Sequence, residues 1–142
     1  MEKILVPVDG SEPSQRAVQY VMNRARSSPG THIFLINVQE PPPAEIMLEA
    51  GLAAETWHAS HQTAGKEALK SACAALDGAQ LPYTTTVTVG QPAEHIAARA
   101  QELGCNRIVM GTRGLRALAS LVLGSVAMRV VHAASCPVTL IK

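Results

Sequence analysis

Apolar residues along the chain fall into two alternating kinds of run: short unbroken aliphatic stretches, and longer stretches in which small and aliphatic residues recur every three or four positions. Ile4 to Val8 is of the first kind, the pattern of a strand buried on both faces. After Pro7-Val8-Asp9-Gly10-Ser11, the segment Ser11-Glu12-Pro13-Ser14 supplies capping hydroxyls and a proline suited to a first helical turn. Ala17, Val18, Val21, Met22 and Ala25 then mark one helix face. Thr31 to Gln39 predicts the second strand, and Pro41-Pro42-Pro43 ends it because three prolines cannot continue a ladder. A loop or short helix follows. Good helix formers fill Glu55 to Leu76, with Gly78 as the expected stop.

Tyr83 to Val89 predicts a third strand, and its threonine-rich run Thr84-Thr85-Thr86-Val87-Thr88 suits a position exposed on one face near a sheet edge. Gly90-Gln91-Pro92 opens a helix that turns Ile96, Ala97, Ala100 and Leu103 inward and ends at Gly104. Ile108-Val109-Met110 is a short strand ending at Gly111. From Ser125, expected to cap the first turn, Val126, Ala127, Val130, Val131 and Ala134 fall at helical spacing. Val138 to Ile141 is the last strand. Strands alternating with helices, with no internal repeat or linker, predict an α/β fold: one domain over residues 1–142, a doubly wound parallel sheet with helices on both faces.

Composition supports that core and narrows the function. With 47% hydrophobic but only 3% aromatic residues, the interior is built from Val, Ile, Leu and Ala. A net charge of +1 with dispersed basic residues leaves no electrostatic footprint for nucleic acid. Cys73, Cys105 and Cys136 are widely spaced without a C-x-x-C, so they are expected as small core residues rather than a disulfide framework or zinc knuckle. No targeting segment is visible, and the uncharged stretches fall short of the ~20 apolar residues of a membrane span, so a cytoplasmic protein without membrane contact is expected. His58 and His61, three apart on a helix, lack a third ligand, and a solvated helix face is favoured over a metal site.

The candidate chemistry lies near the C-terminus. Gly111-Thr112-Arg113-Gly114 is followed by nine residues, Leu115 to Leu123, and then by Gly124-Ser125. The pair Gly111 and Gly114 stands where a strand opens into a loop, and Gly124-Ser125 where a helix begins. Helix first turns leave amides unpaired and carry positive potential, so this spacing suits an anion such as a phosphate. At Gly111, Gly114 and Gly124 a Cβ is expected to block close approach of that anion or a positive φ, and Arg113 and Arg116 add positive charge. Neither a P-loop G-x-x-x-x-G-K-[ST] nor a G-x-G-x-x-G after the first strand is present. Ligands of doubly wound sheets sit at the carboxyl ends of the strands, which brings the loops after Val8, Val38 and Met110 to the same rim. Asp9 there either hydrogen-bonds a ribose hydroxyl, helps hold a metal ion, or caps its own turn through the Ser11 or Glu12 amide.

These residues resemble the universal stress protein family, and specifically its nucleotide-binding branch, from end to end. The likeness rests on Ile4-Leu5-Val6-Pro7-Val8-Asp9-Gly10-Ser11, Gly90-Gln91-Pro92-Ala93, Ile108 to Gly114 with the nine-residue spacer to Gly124-Ser125-Val126, and Cys136-Pro137-Val138-Thr139-Leu140-Ile141. It implies a Rossmann-like fold of the adenine nucleotide alpha hydrolase type, with five parallel strands in the order 3-2-1-4-5. It also implies binding of ATP, with AMP or ADP as alternatives and Mg²⁺ accompanying the nucleotide. Contacts would come from Pro7, Val8, Asp9, Val38, Met110 and Gly111, and then from Thr112, Arg113, Gly114, Leu115, Arg116, Ala117, Gly124, Ser125, Val126 and Ala127 around the phosphates. Ala127 stands where many members carry a second hydroxyl residue. The resemblance further implies a homodimer joined through Val138, Thr139, Leu140 and Ile141, an apolar edge that invites pairing with its own copy. Three functions stay open: a nucleotide-dependent stress sensor or regulator without efficient catalysis, a slow ATPase or nucleotidyl-transfer enzyme, and a nucleotide-free structural dimer.

Overall fold

Among the described residues, ten elements follow one another: β1 (Lys3–Pro7), α1 (Glu12–Ser27), β2 (His32–Gln39), α2 (Ala44–Glu49), α3 (Ala54–Gly78), β3 (Tyr83–Val89), α4 (Pro92–Leu103), β4 (Arg107–Gly111), α5 (Ser125–Ala133) and β5 (Val138–Ile141). They are seen in a computed structural model that describes residues 1–51, 54–113 and 123–142. The five strands form one sheet in the order β3-β2-β1-β4-β5, and every pairing is parallel. This is the doubly wound arrangement expected from the alternating runs, with the threonine-rich strand at one edge and the last strand at the other.

Strand β1 lies at the centre and buries both faces, which explains its unbroken apolar run. Ile4 and Val6 face a cluster built with Ala17, Val18, Val21 and Met22 of α1 and Leu69, Ala72 and Leu76 of α3. Leu5 faces the other way, onto Ala93, Ile96 and Ala100 of α4 and Ala127 and Val130 of α5. The helices therefore form two layers, α1 with α3 and α4 with α5, around a sheet of small aliphatic side chains, each contributing about 1.5–3 kcal/mol when fully buried. All three cysteines join these clusters, Cys105 buried and Cys73 and Cys136 partly so. Val131 departs from its expected inward position: it is 47% exposed, because α5 offers only Ala127 and Val130 fully to the sheet.

Helix ends follow local chemistry. The Ser11 hydroxyl accepts from the Ser14 amide at the start of α1, and Pro13 occupies its first turn. Gly104 ends α4 in the left-handed region at φ 63°, with Cys105 N–H reaching back to the Ala100 carbonyl at 2.8 Å. At α3 the same motif is built without glycine. Gly78 is still helical, and Gln80 takes the left-handed turn at φ 55° while Leu81 N–H donates to the Leu76 carbonyl at 3.1 Å. Gly65, in the middle of α3, serves packing instead, for a Cβ there would lie 2.2 Å from Val87 Cγ1 on β3.

At the amino ends of the strands Glu2 ties three elements together. Its carboxylate accepts from Arg24 Nε and Nη2 on α1 at 3.0–3.1 Å and from Arg107 Nε on β4 at 3.0 Å. The Arg24 hydrogen bonds are the main reason its carboxyl is held below the usual range. Among the described residues, no helix is long and apolar enough to cross a membrane.

Candidate functional site

The two central strands part at their carboxyl ends. β1 pairs with β4 only at Ile4↔Arg107 and Leu5↔Ile108, whereas β1 stays paired with β2 as far as Pro7↔Ile36 and β4 with β5 as far as Gly111↔Ile141. The chain crosses from β1 to β2 on one side and from β3 to β4 on the other, so this opening is the topological switch point where doubly wound sheets hold ligands. The described residues just after β1, β2 and β4 leave the sheet at this same end.

On the β1 side, Val8 leaves the strand but keeps its place: its N–H donates to the Ile36 carbonyl at 2.9 Å and its side chain is buried. Gly10 turns the chain at φ 84°, left-handed, which returns the Ser11 amide to Asp9 Oδ1 at 2.9 Å. Asp9 therefore does cap its own turn, as one of its expected roles requires. Val38 is half-buried at the end of β2.

On the β4 side, Met110 and Gly111 are buried, and Thr112 joins two elements through its N–H and its carbonyl. Thr112 N–H donates to the Ile141 carbonyl at 2.9 Å, and its carbonyl accepts from Gly124 N–H at 2.7 Å. This second bond brings the two glycine segments together across the residues between them. Gly114, Leu115, Arg116 and Ala117 lie outside the described residues. Gly124 caps α5 with extended geometry, φ −62° and ψ 152°, so Ser125 is the first helical residue and not the cap that its hydroxyl suggested. As a glycine it offers no capping side chain, and the first-turn amides at Ser125, Val126 and Ala127 have no intrahelical acceptor. Helices α1, α2 and α4 each carry a glutamate in the first turn, Glu12, Glu45 and Glu94, whereas α5 carries no acid there. The start of α5 therefore keeps its positive potential.

The described glycines at 111 and 124 also make room for the protein's own backbone. A Cβ at Gly111 would meet Pro13, 2.7 Å from its Cβ and 2.9 Å from its carbonyl carbon, so this glycine lets α1 close against β4. At Gly124 a Cβ would lie 3.1 Å from the Thr112 carbonyl oxygen, crowding the contact between the two segments. Neither has a positive φ.

One supporting residue escaped sequence reasoning. Asn37 is buried within β2, donates from Nδ2 to the Val8 carbonyl at 2.8 Å, and accepts from Gln39 Nε2 at Oδ1. The available signal was a single asparagine inside an otherwise apolar strand. The two helical histidines also prove different from each other. His61 stacks on Trp57 with ring centres 3.9 Å apart and its Nδ1 meets the Trp57 carbonyl at 2.9 Å, while His58 is exposed. Among the described residues, no group of three His, Cys, Asp or Glu side chains is placed to hold a metal ion.

Comparison with known proteins gives this geometry a context. The family model described as "Universal stress protein family" matches residues 1–142. A Thermus aquaticus protein, the universal stress protein in the QAH/OAS sulfhydrylase 3′ region, is 34% identical over 143 residues, covering 98% of this chain and 97% of its own. The solved structure of hypothetical protein MJ0577 is similar with a TM-score of 0.84 at 26% identity, covering 99% of this chain and 95% of that one. A universal stress protein from Archaeoglobus fulgidus in complex with dAMP shares the fold with a TM-score of 0.69 at 24% identity, covering 100% and 98% of the two chains. An Arabidopsis thaliana member with AMP bound does so at 0.70 and 20% identity, covering 100% and 92%. Matched by the family model from the first residue to the last, the chain belongs to the universal stress protein family.

Proposed function

We propose that this chain binds an adenine nucleotide, ATP foremost with AMP or ADP as alternatives, at the parting of β1 and β4, and that occupancy sets its stability or its partners. It acts as a stress sensor or regulator rather than as an efficient catalyst. The observation that carries this reading is the 2.7 Å bond from Gly124 N–H to the Thr112 carbonyl, which seats the uncapped, acid-free start of α5 beside the opened strand ends. In this reading Pro7, Val8, Asp9, Val38, Met110 and Gly111 surround base and ribose. Thr112, Arg113 and the Ser125, Val126 and Ala127 amides take the phosphates, with Gly114 to Ala117 completing the loop and Mg²⁺ following the phosphates of ATP. The dAMP and AMP complexes of proteins with this fold support the adenine part of the assignment.

A homodimer through β5 is part of the same proposal. Val138–Ile141 is the outer strand on that side of the sheet, half-buried along its length, and an apolar strand edge is a template for its own copy.

The test is thermal unfolding with millimolar ATP plus magnesium, or AMP, together with mass spectrometry of nucleotide released on denaturation. Ligand at a hundred times its dissociation constant adds about 2.7 kcal/mol, which for a chain of this size raises the unfolding temperature by roughly 5–10 °C. No shift with either nucleotide overturns the assignment, and a monomer mass by light scattering at micromolar concentration overturns the dimer.

A further inference from the structure

A second concavity lies at the β3 flank of the sheet. Strand β3 is the outer strand there, and α3 packs on the face that carries Val87, where a Cβ at Gly65 would strike that side chain. Thr86 and Thr88 alternate with Val87 and turn to the other face, beside their β2 partners Ile36 and Val38, which pack into the α4 and α5 cluster. On that face α4 packs over β1 and β2. Between α4 and β3 there remains a groove of about 440 Å³, a volume that suits a small molecule. Ile36, Thr86 and Thr88 line its sheet side, and Glu94, Ala98, Arg99 and Glu102 its helix side. The His95 ring, set against Gly90 just past β3, lines the end next to Glu94.

The charges on the helix side are arranged in a row. Glu94, Ala98 and Glu102 recur every four residues and share one stripe of α4, with the carboxylates about 12 Å apart along its axis. Two carboxylates against one guanidinium leave the lining with one negative charge in excess. Arg99 Nη1 donates to Glu102 Oε2 at 2.8 Å, whereas its Nε is buried and has no acceptor among the described residues. Glu94 meets Arg129 of α5 only at 3.7 Å, and both side chains are more than half exposed, so that pair holds the carboxylate loosely. A simple anion is repelled by the two glutamates, and a simple diamine brings no acceptor to Arg99. Every group is matched by a molecule with a carboxylate for the guanidinium, an ammonium beside it for Glu102, and a second cation further along for Glu94. Five residues separate Arg99 from Glu94, about 7.5 Å along the helix, which a stem of three or four methylenes spans.

We propose that this groove binds a free α-amino acid with a basic side chain: lysine, ornithine or arginine. The α-carboxylate lies on the Nε–Nη2 edge of Arg99, toward which the 30% exposed side chain has room to turn, and the α-ammonium lies on Glu102. The methylene stem runs along Ile36 and Ala98, and the terminal cation sits between Glu94 and the Thr88 hydroxyl. This site lies on the β2–β3 flank, apart from the parting of β1 and β4, and does not rest on nucleotide binding.

The test is calorimetric titration of the full-length protein with L-lysine, L-ornithine and L-arginine, together with amide-resolved NMR. Three analogues each lack one charge: norleucine the side-chain cation, cadaverine the α-carboxylate, and Nα-acetyl-lysine the α-ammonium. The expected dissociation constant is about 1 mM or lower for at least one basic amino acid, and at least about tenfold higher for each analogue of lysine if lysine is the one that binds. NMR shifts should fall on β3 and α4, with or without ATP. Glu94→Gln, at an exposed position, should weaken binding about tenfold, as should Arg99→Lys, which keeps the charge and loses the fork. Absence of binding at about 10 mM of all three amino acids, cadaverine binding as tightly as lysine, shifts confined to the parting of β1 and β4, or parental affinity in Glu94→Gln overturns the proposal.

Discussion

Asn37 Nδ2 donates to the Val8 carbonyl across 2.8 Å, tying the end of the central strand to its neighbour where the two lead into the candidate site. Asn37→Leu keeps similar bulk and removes the donor, leaving a buried carbonyl without its side-chain partner and the Gln39 amide without its acceptor. The expected cost is about 1–3 kcal/mol, measured by urea unfolding. If the proposed nucleotide site is right, affinity there should fall as well, since Val8 keeps its N–H bond to Ile36 but loses the tie on its carbonyl. A variant as stable as the parent would show that this bond carries no net stability.

Gly111→Ala tests whether the first glycine serves packing. Its Cβ would meet backbone and ring atoms of Pro13 that cannot swing aside, so destabilisation of about 1–3 kcal/mol is expected. Gly78→Ala is the matched control: nothing lies within 4 Å of its Cβ, and the helical position should gain up to about 1 kcal/mol. Thermal melts of the two variants should move in opposite directions.

Gly65→Ala places a methyl group against Val87 and should destabilise by a similar amount. Adding Val87→Ala removes the clashing methyls, and the double variant should recover part of the loss. A coupling of about 0.5–3 kcal/mol in a double-mutant cycle is the expected signature. Simple additivity would mean that α3 yields at this point instead of the strand.

The Glu2 network sets an acid limit on stability. Because the folded carboxyl is held below its ordinary value of 4.5, mainly by the Arg24 hydrogen bonds, its contribution is complete above that value and disappears as pH falls through the folded one. Glu2→Gln should therefore cost about 1 kcal/mol at pH 7, a figure kept small by the partial exposure of Arg24 and Arg107. The difference from the parent should vanish toward pH 2. Denaturant unfolding at several pH values checks both statements.

Much of the architecture was legible because periodicity and burial coincide. The unbroken run at Ile4 to Val8 marks a strand covered on both sides, and the mixed run at Thr84 to Val89 marks an edge strand. What stayed hidden depends on partners distant in sequence. Gly111 and Pro13 are far apart along the chain, so the spacing of glycines alone suggested a ligand where a helix end also needs room. Val131 shares the helical period of Val130 but lies past the edge of the buried stripe. Asn37 resembles an interruption in an apolar run until its acceptor, the Val8 carbonyl, is seen beside it. The left-handed turn after α3 falls on Gln80 because the backbone bond from Leu81 to Leu76 can be made without glycine two residues earlier.

Thr112 has its N–H on the Ile141 carbonyl and its carbonyl on the Gly124 N–H. One residue thus bonds both to the rim of the sheet and to the mouth of a helix. A sideways shift of the final strand would act on the residue that also holds the capping glycine of the helix, beside the proposed anion position. In the proposed dimer and the proposed site, pairing of the last strand and capture of an anion would therefore meet at one residue.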